Sequence, residues 1–464
     1  MKESGRWMSG LFILALFATL GLGTAAWADE QAKAVKNPPV VLRLKEAESL
    51  EQILKAVNAN NAQIHEAEAD VEIARAQVHR ARAAMYPRGT STFLAAPLFE
   101  ERGNAQTFTR NFNNWGPYLS SNTQIIQPLY TFGQIGGYRR AAEHQEIASL
   151  ELVKMKRNEV LATVKDFYYT YLMASDLEKL VGNLTEFLGG ALTEATEGKG
   201  KKSAVKPHDL NRLKIAQDDL LQKKLYATQG RQTAQKAVLW MTGNAFDSVA
   251  SPTMEVQEYE PRTLEDYLKL AKTFRPEFKA LAAGQVARNA LADAKRAQSY
   301  PTLFVAGLVD LNWSPVRDPQ PSFYAYDPFN RLQGGVAMGL RLDLEFTRHW
   351  AEAAEERAQA MKLKATETYA APGIEVEVSR AFWEVEQARE GFQIAERRKK
   401  TGRKWFVGSA MGWSIGVTSP KDLMESLEGD GISRQNYIQT IYMFNAALAK
   451  LSKACGTEIT TLKY

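Results

Sequence analysis

The chain has little of what many enzymes and disulfide-rich secreted domains depend on. Its 464 residues include one cysteine, Cys455, and five histidines that stand singly along the sequence. One cysteine excludes an intramolecular disulfide framework and a cysteine-built metal cluster, and the histidines lack the i, i+4 spacing of a metal-binding helix. The formal net charge of +5 is small for this length and does not indicate a nucleic-acid-binding protein.

Catalytic motifs are also missing from the sequence. It contains no glycine-rich phosphate loop, no nucleophile elbow and no zinc signature. Its carboxylates fall mostly on predicted helical faces among lysines and arginines, where solvated i, i+4 pairing is the default. We therefore expect no catalytic residues, no cofactor and no metal site, and we do not expect an enzyme.

The N-terminus is typical of an exported protein. Lys2 and Arg6 precede an apolar run at Leu11–Leu22, and a small-x-small cleavage site follows at 26–28. We predict cleavage after Ala28, with no lipid anchor, because no cysteine follows the site. Beyond this segment no run of about eighteen apolar residues occurs, so the sequence predicts no transmembrane helix.

One stretch, Gly334–Phe346, alternates as a strand does. One parity holds Val336, Met338, Leu340, Leu342 and Leu344, and the other holds Ala337, Gly339, Arg341, Asp343 and Glu345. In a soluble sheet the aliphatic face would lie on a core, whereas in an outer-membrane barrel it would face lipid while the charged face lines water. A single strand does not decide between them. In the barrel, Arg341, Asp343 and Glu345 are the candidate lumen residues.

Much of the remaining sequence predicts long helices. Glu46–Ala84 is rich in helix formers until Tyr86-Pro87 stops it, and a second helix is predicted from Gln134 to about Glu197. At 1.5 Å per residue the second helix would be close to about 100 Å long, which favours a coiled coil or a tube wall. A further helix is predicted from Asp209 to Gly243, after a basic turn.

The same order of patterns returns later in the chain. The spacing from Tyr86-Pro87 to Tyr300-Pro301 equals the spacing from Phe132 to Phe346, and past the helix turn the spacing from Asp209 to Asp422 is shorter by one. A constant offset with a single slip indicates two structural copies of a helix–strand–strand–helix–turn–helix unit. Four strands cannot close a barrel around a channel, since about eight are needed, so a membrane barrel would require several chains.

The predicted boundaries follow from this repeat. They are a signal peptide at 1–28, an N-terminal lead at 29–45, a first repeat at 46–243 with strands near 88–100 and 115–130, a linker at 244–260, a second repeat at 261–456 with strands near 302–313 and 332–346, and a C-terminal tail at 457–464. Within the second repeat, Pro372 is expected to disturb the long helix and Gly429–Gly431 to interrupt the last one.

Several motifs together carry a family resemblance. They are the two repeats, the helix stops Tyr86-Pro87 and Tyr300-Pro301, the motif Arg275-Pro276-Glu277 and the strand end Gln127-Pro128-Leu129-Tyr130. With them, roughly from Glu46 to Gly456, the sequence resembles the TolC family of outer-membrane efflux proteins. In that family a glycine stands six residues before an Asp-hydrophobic pair at each hairpin tip. Gly416 and Asp422 match this spacing, whereas Ser203 occupies the first glycine position.

The resemblance implies a mostly α fold with a small β part. Three chains would form a twelve-stranded β-barrel in the bacterial outer membrane that continues into a long periplasmic α-helical barrel. The implied function is the outer-membrane channel of a tripartite efflux or type I secretion system, which conducts cargo passively to the outside. The implied partners are the other two copies of the homotrimer, a periplasmic adaptor (membrane fusion) protein, an inner-membrane efflux transporter and outer-membrane lipid, with no nucleic acid.

The resemblance also assigns roles at the two hairpin tips. The tip or aperture residues are Lys199, Lys201, Lys202, Lys206, Asp209 and Asp422, and the adaptor-contact residues are Ser203, Gly416, Val417 and Thr418. Several family members ring the closed mouth with aspartates, whereas the first tip here is basic. This tip is either a solvated turn or a mouth that, through clustered like charge, is less selective for cations or favours anionic cargo.

A second function from another class fits part of the sequence. The alternative is a periplasmic coiled-coil structural or tethering protein without a pore. A pure coiled coil has no use for the strand at Gly334–Phe346 or for the glycine- and asparagine-rich loops, which favours the channel.

Overall fold

The computed structural model describes residues 44–47, 49–104, 106–197, 206–320, 324 and 326–462. The predicted signal peptide and most of the predicted lead lie outside these residues. So do four of the residues assigned to the first tip, which are Lys199, Lys201, Lys202 and Ser203.

The described chain is mostly helical with a small sheet, as predicted. The first elements are β1 (Leu44–Ala47), α1 (Leu50–Asn60), α2 (Ala62–Ala83), β2 (Arg88–Gly103), β3 (Phe108–Tyr130), α3 (Gln134–Glu197) and α4 (Pro207–Met241). They are followed by β4 (Phe246–Val249), α5 (Leu264–Phe274), α6 (Pro276–Ala297), β5 (Thr302–Trp313), β6 (Arg331–Arg341), α7 (Phe346–Ser414) and α8 (Pro420–Cys455). The order of strands and helices in the first set recurs in the second.

Two very long helices dominate the molecule. Helix α3 has 64 residues and α7 has 69, so at 1.5 Å per residue they are about 96 and 104 Å long. The expected interruption of the last helix at Gly429–Gly431 was wrong, because α8 runs through it. Gly429 provides space there: a Cβ would lie 2.6 Å from the ring of Trp405. Helix α7 likewise continues through Pro372, whose side chain is exposed.

Four strands form one antiparallel sheet in the order β2-β3-β5-β6, and β1 pairs in parallel with β4 in a separate two-stranded sheet. The prediction of a strand continuing to Phe346 was wrong, since β6 ends at Arg341. The cause is its neighbour: Arg341 pairs with Thr302, which is the first residue of β5, so β5 has no further residue to pair with 342–346. The β2–β3 hairpin is longer than predicted, and its tight turn uses the Asn104 side chain as acceptor for the Thr107 N–H.

Each strand of the four-stranded sheet is continuous in the chain with one helix. At the sheet end the helices pack side by side in the order α2–α3–α6–α7. At the far end, past the middle of the long helices, the order is α4–α3–α8–α7. The four strands and the helices in these two series therefore form a single layer, with one edge formed by β2, α2 and α4 and the other by β6 and α7.

The prediction of one unbroken helix over Glu46–Ala84 was wrong. Residues 44–47 form β1, and Asn61 separates α1 from α2 with an extended backbone (φ −74°, ψ 124°). The Asn61 side-chain oxygen accepts the N–H of Gln63 at 3.0 Å, so it caps α2, and its Nδ2 donates to the carbonyl of Met241 at 2.9 Å.

Two apolar cores lie near the middle of the long helices. In the first, Leu54 and Val57 of α1 pack among residues of α3 and α4 that include Val164 and Val238. The second core is formed by the corresponding helices of the second half of the chain. It includes Tyr267 of α5, Val378 and Val385 of α7, and Leu448 and Leu451 of α8. These cores hold the short helices against the long ones, while the sheet projects beyond them.

Candidate functional site

One face of strands β5 and β6 is aliphatic and uncovered. Leu332, Val336, Met338 and Leu340 of β6 are 63–81% exposed. The register places Val305 of β5 opposite Met338, so the apolar face extends across both strands. An apolar patch of this kind on a soluble protein would be an interaction surface or a liability.

The opposite face of the same strands is polar where β5 ends and β6 begins, whereas Phe304, Ala306 and Leu308 of β5 lie on that face nearer the helices. Arg331 forms an ion pair with Asp310 across β5 and β6. Tyr118 of β3 donates its hydroxyl to Asn312 at 2.8 Å, and Asn312 in turn donates to Asp310 at 3.3 Å. These residues were missed from the sequence alone. In the sequence, Asp310 and Asn312 are two residues apart in a strand and therefore lie on one face. Only the register with β6 shows that Arg331 lies beside them.

The three candidate lumen residues do not share one strand face. Arg341 is the last residue of β6, whereas Asp343 and Glu345 lie in the connection to α7. The Asp343 carboxylate is 3.7 Å from the ring of His349, whose side chain is only 2% exposed, and Glu345 forms an ion pair with Arg348. Of the three candidate lumen residues, only Arg341 therefore lies in the strand that the alternating pattern predicted.

A buried arginine fastens the loop after β5 to the end of the β2–β3 hairpin. The Arg317 guanidinium lies between the rings of Phe99 and Phe329, 5.0 and 4.6 Å from their centroids, and pairs with Glu101 at 3.0 Å. Cation–π contacts and a desolvated ion pair of this kind fix a loop in one position. These contacts of Arg317 join the chain after β5 to the β2–β3 hairpin, which the sequence did not predict.

The second helical tip brings together the residues that the sequence assigned to it. Gly416 has φ +80°, a left-handed conformation that favours glycine, and it reverses the chain between α7 and α8. The N–H groups of Val417 and Thr418 both donate to the Gly412 carbonyl, at 2.9 and 3.2 Å. The Val417 side chain is 78% exposed. Asp422 stands in the first turn of α8, where its N–H donates to Ser419 at 3.1 Å.

The first tip is described only from Lys206 onwards. Lys206 precedes α4, and Pro207 occupies the first helical position. Asp209 in the first turn lies 3.5 Å from His208 and 3.7 Å from Arg212, so its charge is already balanced locally.

The part of the chain that the structure describes shows no candidate metal site and no reactive thiol. There, no three His, Cys, Asp or Glu side chains converge as metal ligands would. Burial raises the pKa of the Cys455 thiol to about 12, so little thiolate is present at neutral pH. Among the described helices, none combines the length and the apolar composition needed to cross a membrane.

Comparison with known proteins supports one family. The model of the outer membrane efflux protein family matches residues 53–184. Curated protein sequences give no match to the chain. The fold is similar to those of several solved outer-membrane proteins.

Three of these structures agree with the chain over most of its length. The MtrE outer membrane channel of Neisseria gonorrhoeae, in its open state, has a TM-score of 0.69 at 15% identity, with 91% of this chain and 94% of that chain covered. The CmeC outer membrane channel of Campylobacter jejuni has 0.71 at 13% identity, with 89% and 87% covered. The outer membrane protein VceC of Vibrio cholerae has 0.69 at 13% identity, with 88% and 96% covered. The resemblance of this chain to the outer-membrane efflux proteins is thereby confirmed, by the family model along residues 53–184 and by the fold along most of the chain.

Proposed function

We propose that the chain is one subunit of a homotrimeric outer-membrane channel of an efflux or type I secretion system. Twelve strands from three copies form a β-barrel in the outer membrane, and their helices continue it as an α-helical barrel into the periplasm. Each chain contributes two structural repeats, at 46–243 and 261–456. The channel itself is passive, and the energy for transport comes from an inner-membrane transporter coupled through a periplasmic adaptor protein.

The observation that carries this proposal is the pair of open edges. Strand β2 and strand β6 each lack a neighbour on one side within the described sheet, and helices α4 and α7 lie on the same two edges. Unpaired backbone groups are unstable in lipid, so a membrane sheet must close on itself. If copies are related by one rotation axis and join edge to edge, the same contact pairs β2 with β6 and brings α4 beside α7.

The two faces of the sheet support the same orientation. The aliphatic face with Val336 and Met338 suits contact with acyl chains, and the polar face with Asp310, Arg331 and Arg341 suits a water-filled lumen. We assign Arg341 to the lumen wall, and Asp343 and Glu345 to the junction where the wall changes from strand to helix.

The hairpin tips are the proposed periplasmic end. Gly416, Val417 and Thr418, with Ser203 at the first tip, form the adaptor contact. The aperture is formed by Lys199, Lys201, Lys202, Lys206, Asp209 and Asp422. Three copies would bring the lysines to one opening, and their combined field would favour anions. Replacing Lys201 and Lys202 by glutamate should shift the ion selectivity in planar bilayers toward cations, and unchanged selectivity would mean that the lysines are only a solvated turn.

Membrane fractionation with gel electrophoresis of unboiled samples tests the proposed function. The expected result is a heat-modifiable species near three times the monomer mass in the outer-membrane fraction, and a conductance step when it is added to a planar bilayer. A soluble periplasmic monomer would overturn the channel and favour a tethering protein.

A further inference from the structure

Helix α7 packs along a seam of buried and half-buried side chains that recur alternately every three and four residues, the spacing of a coiled coil. Up to the middle of the helix the seam is apolar, and it consists of Val378, Ala381, Val385, Ala388, Phe392 and Ala395. The next steps of the same spacing fall on Lys399, Gly402 and Phe406. A cation, half-buried Lys399, therefore occupies a position in a seam that is otherwise apolar.

The seam of α8 is interrupted at the same height. It consists of Leu423, Leu427, Asp430, Arg434, Tyr437 and Ile441, so a carboxylate and a second cation stand among apolar and aromatic residues. Two contacts bring the interruptions together. Lys399 Nζ lies 3.7 Å from the centre of the Tyr437 ring, and Arg403, one turn further along α7, lies 3.7 Å from the Asp430 carboxylate.

The helical hairpin of the first half is built without these charges. By the spacing that relates the two halves, the equivalent positions in α3 and α4 hold only uncharged residues. They are Thr185 for Lys399, Gly189 for Arg403, Gln217 for Asp430 and Leu221 for Arg434. A general requirement of this hairpin therefore does not explain the charged cluster of the second half.

The carboxylates around the cluster are already paired. Asp430, whose side chain is fully buried, accepts Arg434 Nε at 3.1 Å on one oxygen and lies 2.8 Å from Arg434 Nη2 with the other. Glu396 pairs with Lys400 at 3.0 Å. Among the described residues, Lys399 forms no ion pair, and Arg403 is too far from Asp430 for a hydrogen bond. Two cations are therefore left in excess.

The third helix at this height adds no counter-charge beside α8. A Cβ at Gly431 of α8 would lie 3.1 Å from the Leu184 side chain of α3, and Leu180 and Leu184 pack in the same apolar cluster as Phe406. Burial and the nearby Arg434 both lower the pKa of Lys399, while Glu396 acts in the opposite direction. A bound anion would supply the charge that the ammonium lacks.

The backbone brings the cations of the two helices close together. A Cβ at Gly402 would lie 2.8 Å from Ser433 Oγ and 3.3 Å from the Gly429 carbonyl oxygen, so α7 and α8 approach closely at this point. Lys399 and Arg403 are four residues apart and therefore lie on one side of α7, one turn from each other. Their N–H groups and those of Arg434 belong to one cluster.

We propose that Lys399 and Arg403, with Arg434 beside them, bind an oxyanion, either free phosphate or the phosphoryl group of a larger molecule. An ammonium and a planar guanidinium together supply charge and several N–H donors to such a group. Asp430 positions Arg434 and has its charge neutralised by it. The site is contained in one chain, so it goes beyond the proposed channel function and does not depend on the homotrimer.

Isothermal titration calorimetry of the purified protein in detergent tests the site, with sodium phosphate added at fixed ionic strength in chloride. One phosphate should bind per chain. Lys399→Met, which places an apolar side chain in the seam, should weaken binding about tenfold, as expected for the loss of a charged hydrogen bond. The matched control is Lys404→Met, which removes the same charge but lies about 140° around α7 from Lys399. It should leave the affinity nearly unchanged.

Two results would overturn the site. One is the absence of phosphate binding by the unchanged protein. The other is equal weakening by Lys399→Met and Lys404→Met, which would show attraction to a basic surface in general. A trimer on the unboiled gel that binds no phosphate would overturn the site and leave the channel standing, whereas a monomer that binds phosphate would do the reverse.

A urea titration in chloride separates binding from folding. Lys399→Met should unfold at a midpoint at least as high as that of the unchanged protein, because replacing a partly buried charge by an apolar residue is often neutral or stabilising. If the midpoint falls, Arg403→Gln, at an exposed position, decides the matter. It should weaken phosphate binding severalfold, and an unchanged affinity would overturn the proposal.

Phenyl phosphate in the same calorimetric titration identifies the source of the anion. Binding as tight as that of inorganic phosphate would show that the site accepts the phosphoryl group of a larger molecule. Binding of inorganic phosphate alone would show that the site takes the free ion.

Discussion

The two halves of the chain make the same junction with different residues. Asn61 separates α1 from α2, and Arg275, at the equivalent position of the second half, separates α5 from α6. Asn61 donates to the carbonyl of Met241 at 2.9 Å, and Arg275 donates from Nε to the carbonyl of Ala454 at 2.8 Å. Each residue therefore ties the start of a helix to the end of the last helix in its own half.

The difference between them lies in charge. Asn61 is neutral, so its burial requires hydrogen bonds alone. Arg275, whose side chain is 6% exposed, also pairs with Glu277 at 3.0 Å and with Glu377 of α7 at 2.6 Å. The arginine thereby joins a third helix to the junction. We infer that the second junction couples more elements and loses more stability when it is broken.

Arg275→Ala should have the largest effect. It leaves two carboxylates and a carbonyl without their partner, and removing one member of a buried ion pair costs about 3–5 kcal/mol, with the lower figure expected because Glu377 keeps contact with solvent. The urea midpoint, followed by circular dichroism, measures the loss. Arg380→Ala is the control, since Arg380 is 81% exposed where it pairs with Glu384, and it should leave the midpoint nearly unchanged. Equal losses in the two variants would contradict the inference.

Asn61→Ala should have a smaller effect than Arg275→Ala. It removes the cap of α2 and one buried hydrogen bond, each of which contributes about 1 kcal/mol, so a loss of about 2 kcal/mol is expected. The same urea titration measures it. If Asn61→Ala were as damaging as Arg275→Ala, the charge at the second junction would contribute nothing extra.

The glycines that end the two halves should respond alike. Gly243 has φ +66° and Gly456 has φ +73°, and a Cβ at either would lie 3.0 Å from backbone atoms of the junction. A left-handed conformation costs a non-glycine residue about 1–2 kcal/mol, so Gly243→Ala and Gly456→Ala should each lower the stability by about that amount. Gly190→Ala, within α3 and with open space around it, should raise it instead. A large difference between the first two variants would show that the halves differ here too.

The smallest effects are expected at the caps of the two short helices. Ser49 accepts the N–H of Gln52 at 3.4 Å, and Thr263 accepts the N–H of Asp266 at 3.3 Å. Loss of such a cap costs about 1 kcal/mol, so Ser49→Ala and Thr263→Ala should shift the unfolding midpoint by similar amounts. Unequal shifts would place the difference between the halves in the short helices as well as in the junctions.

Some of the helices and strands are determined by local sequence, and others end where they do because of pairing with distant parts of the chain. The sequence predicted a helix from Gln134 to about Glu197, where α3 lies, because an unbroken run of helix formers needs no distant partner. The end of β6 could not be predicted, since Leu342 and Leu344 continue the alternation while β5 stops opposite Arg341. Pairing, and not side-chain pattern, ends that strand.

The candidate site shows the same division. Gly416 and Asp422 were found from their spacing within one turn, and the structure places them together at the second tip. The Arg317 anchor was not found, because its partners Phe99 and Phe329 lie in different halves of the chain. Likewise, nothing in the sequence revealed that Asp343 would lie beside a buried histidine in place of a strand face.

The open edges of the layer have a consequence for biogenesis. A newly exported chain with bare strands at β2 and β6 is a template for any extended polypeptide it meets, so it is at risk until its proper neighbours arrive. In the proposed homotrimer, its stability would be tied to the concentration of other copies, because encounter with them would pair the two edges. Expression level, and the chaperones that shield unassembled chains, would therefore decide how much of the protein survives to maturity.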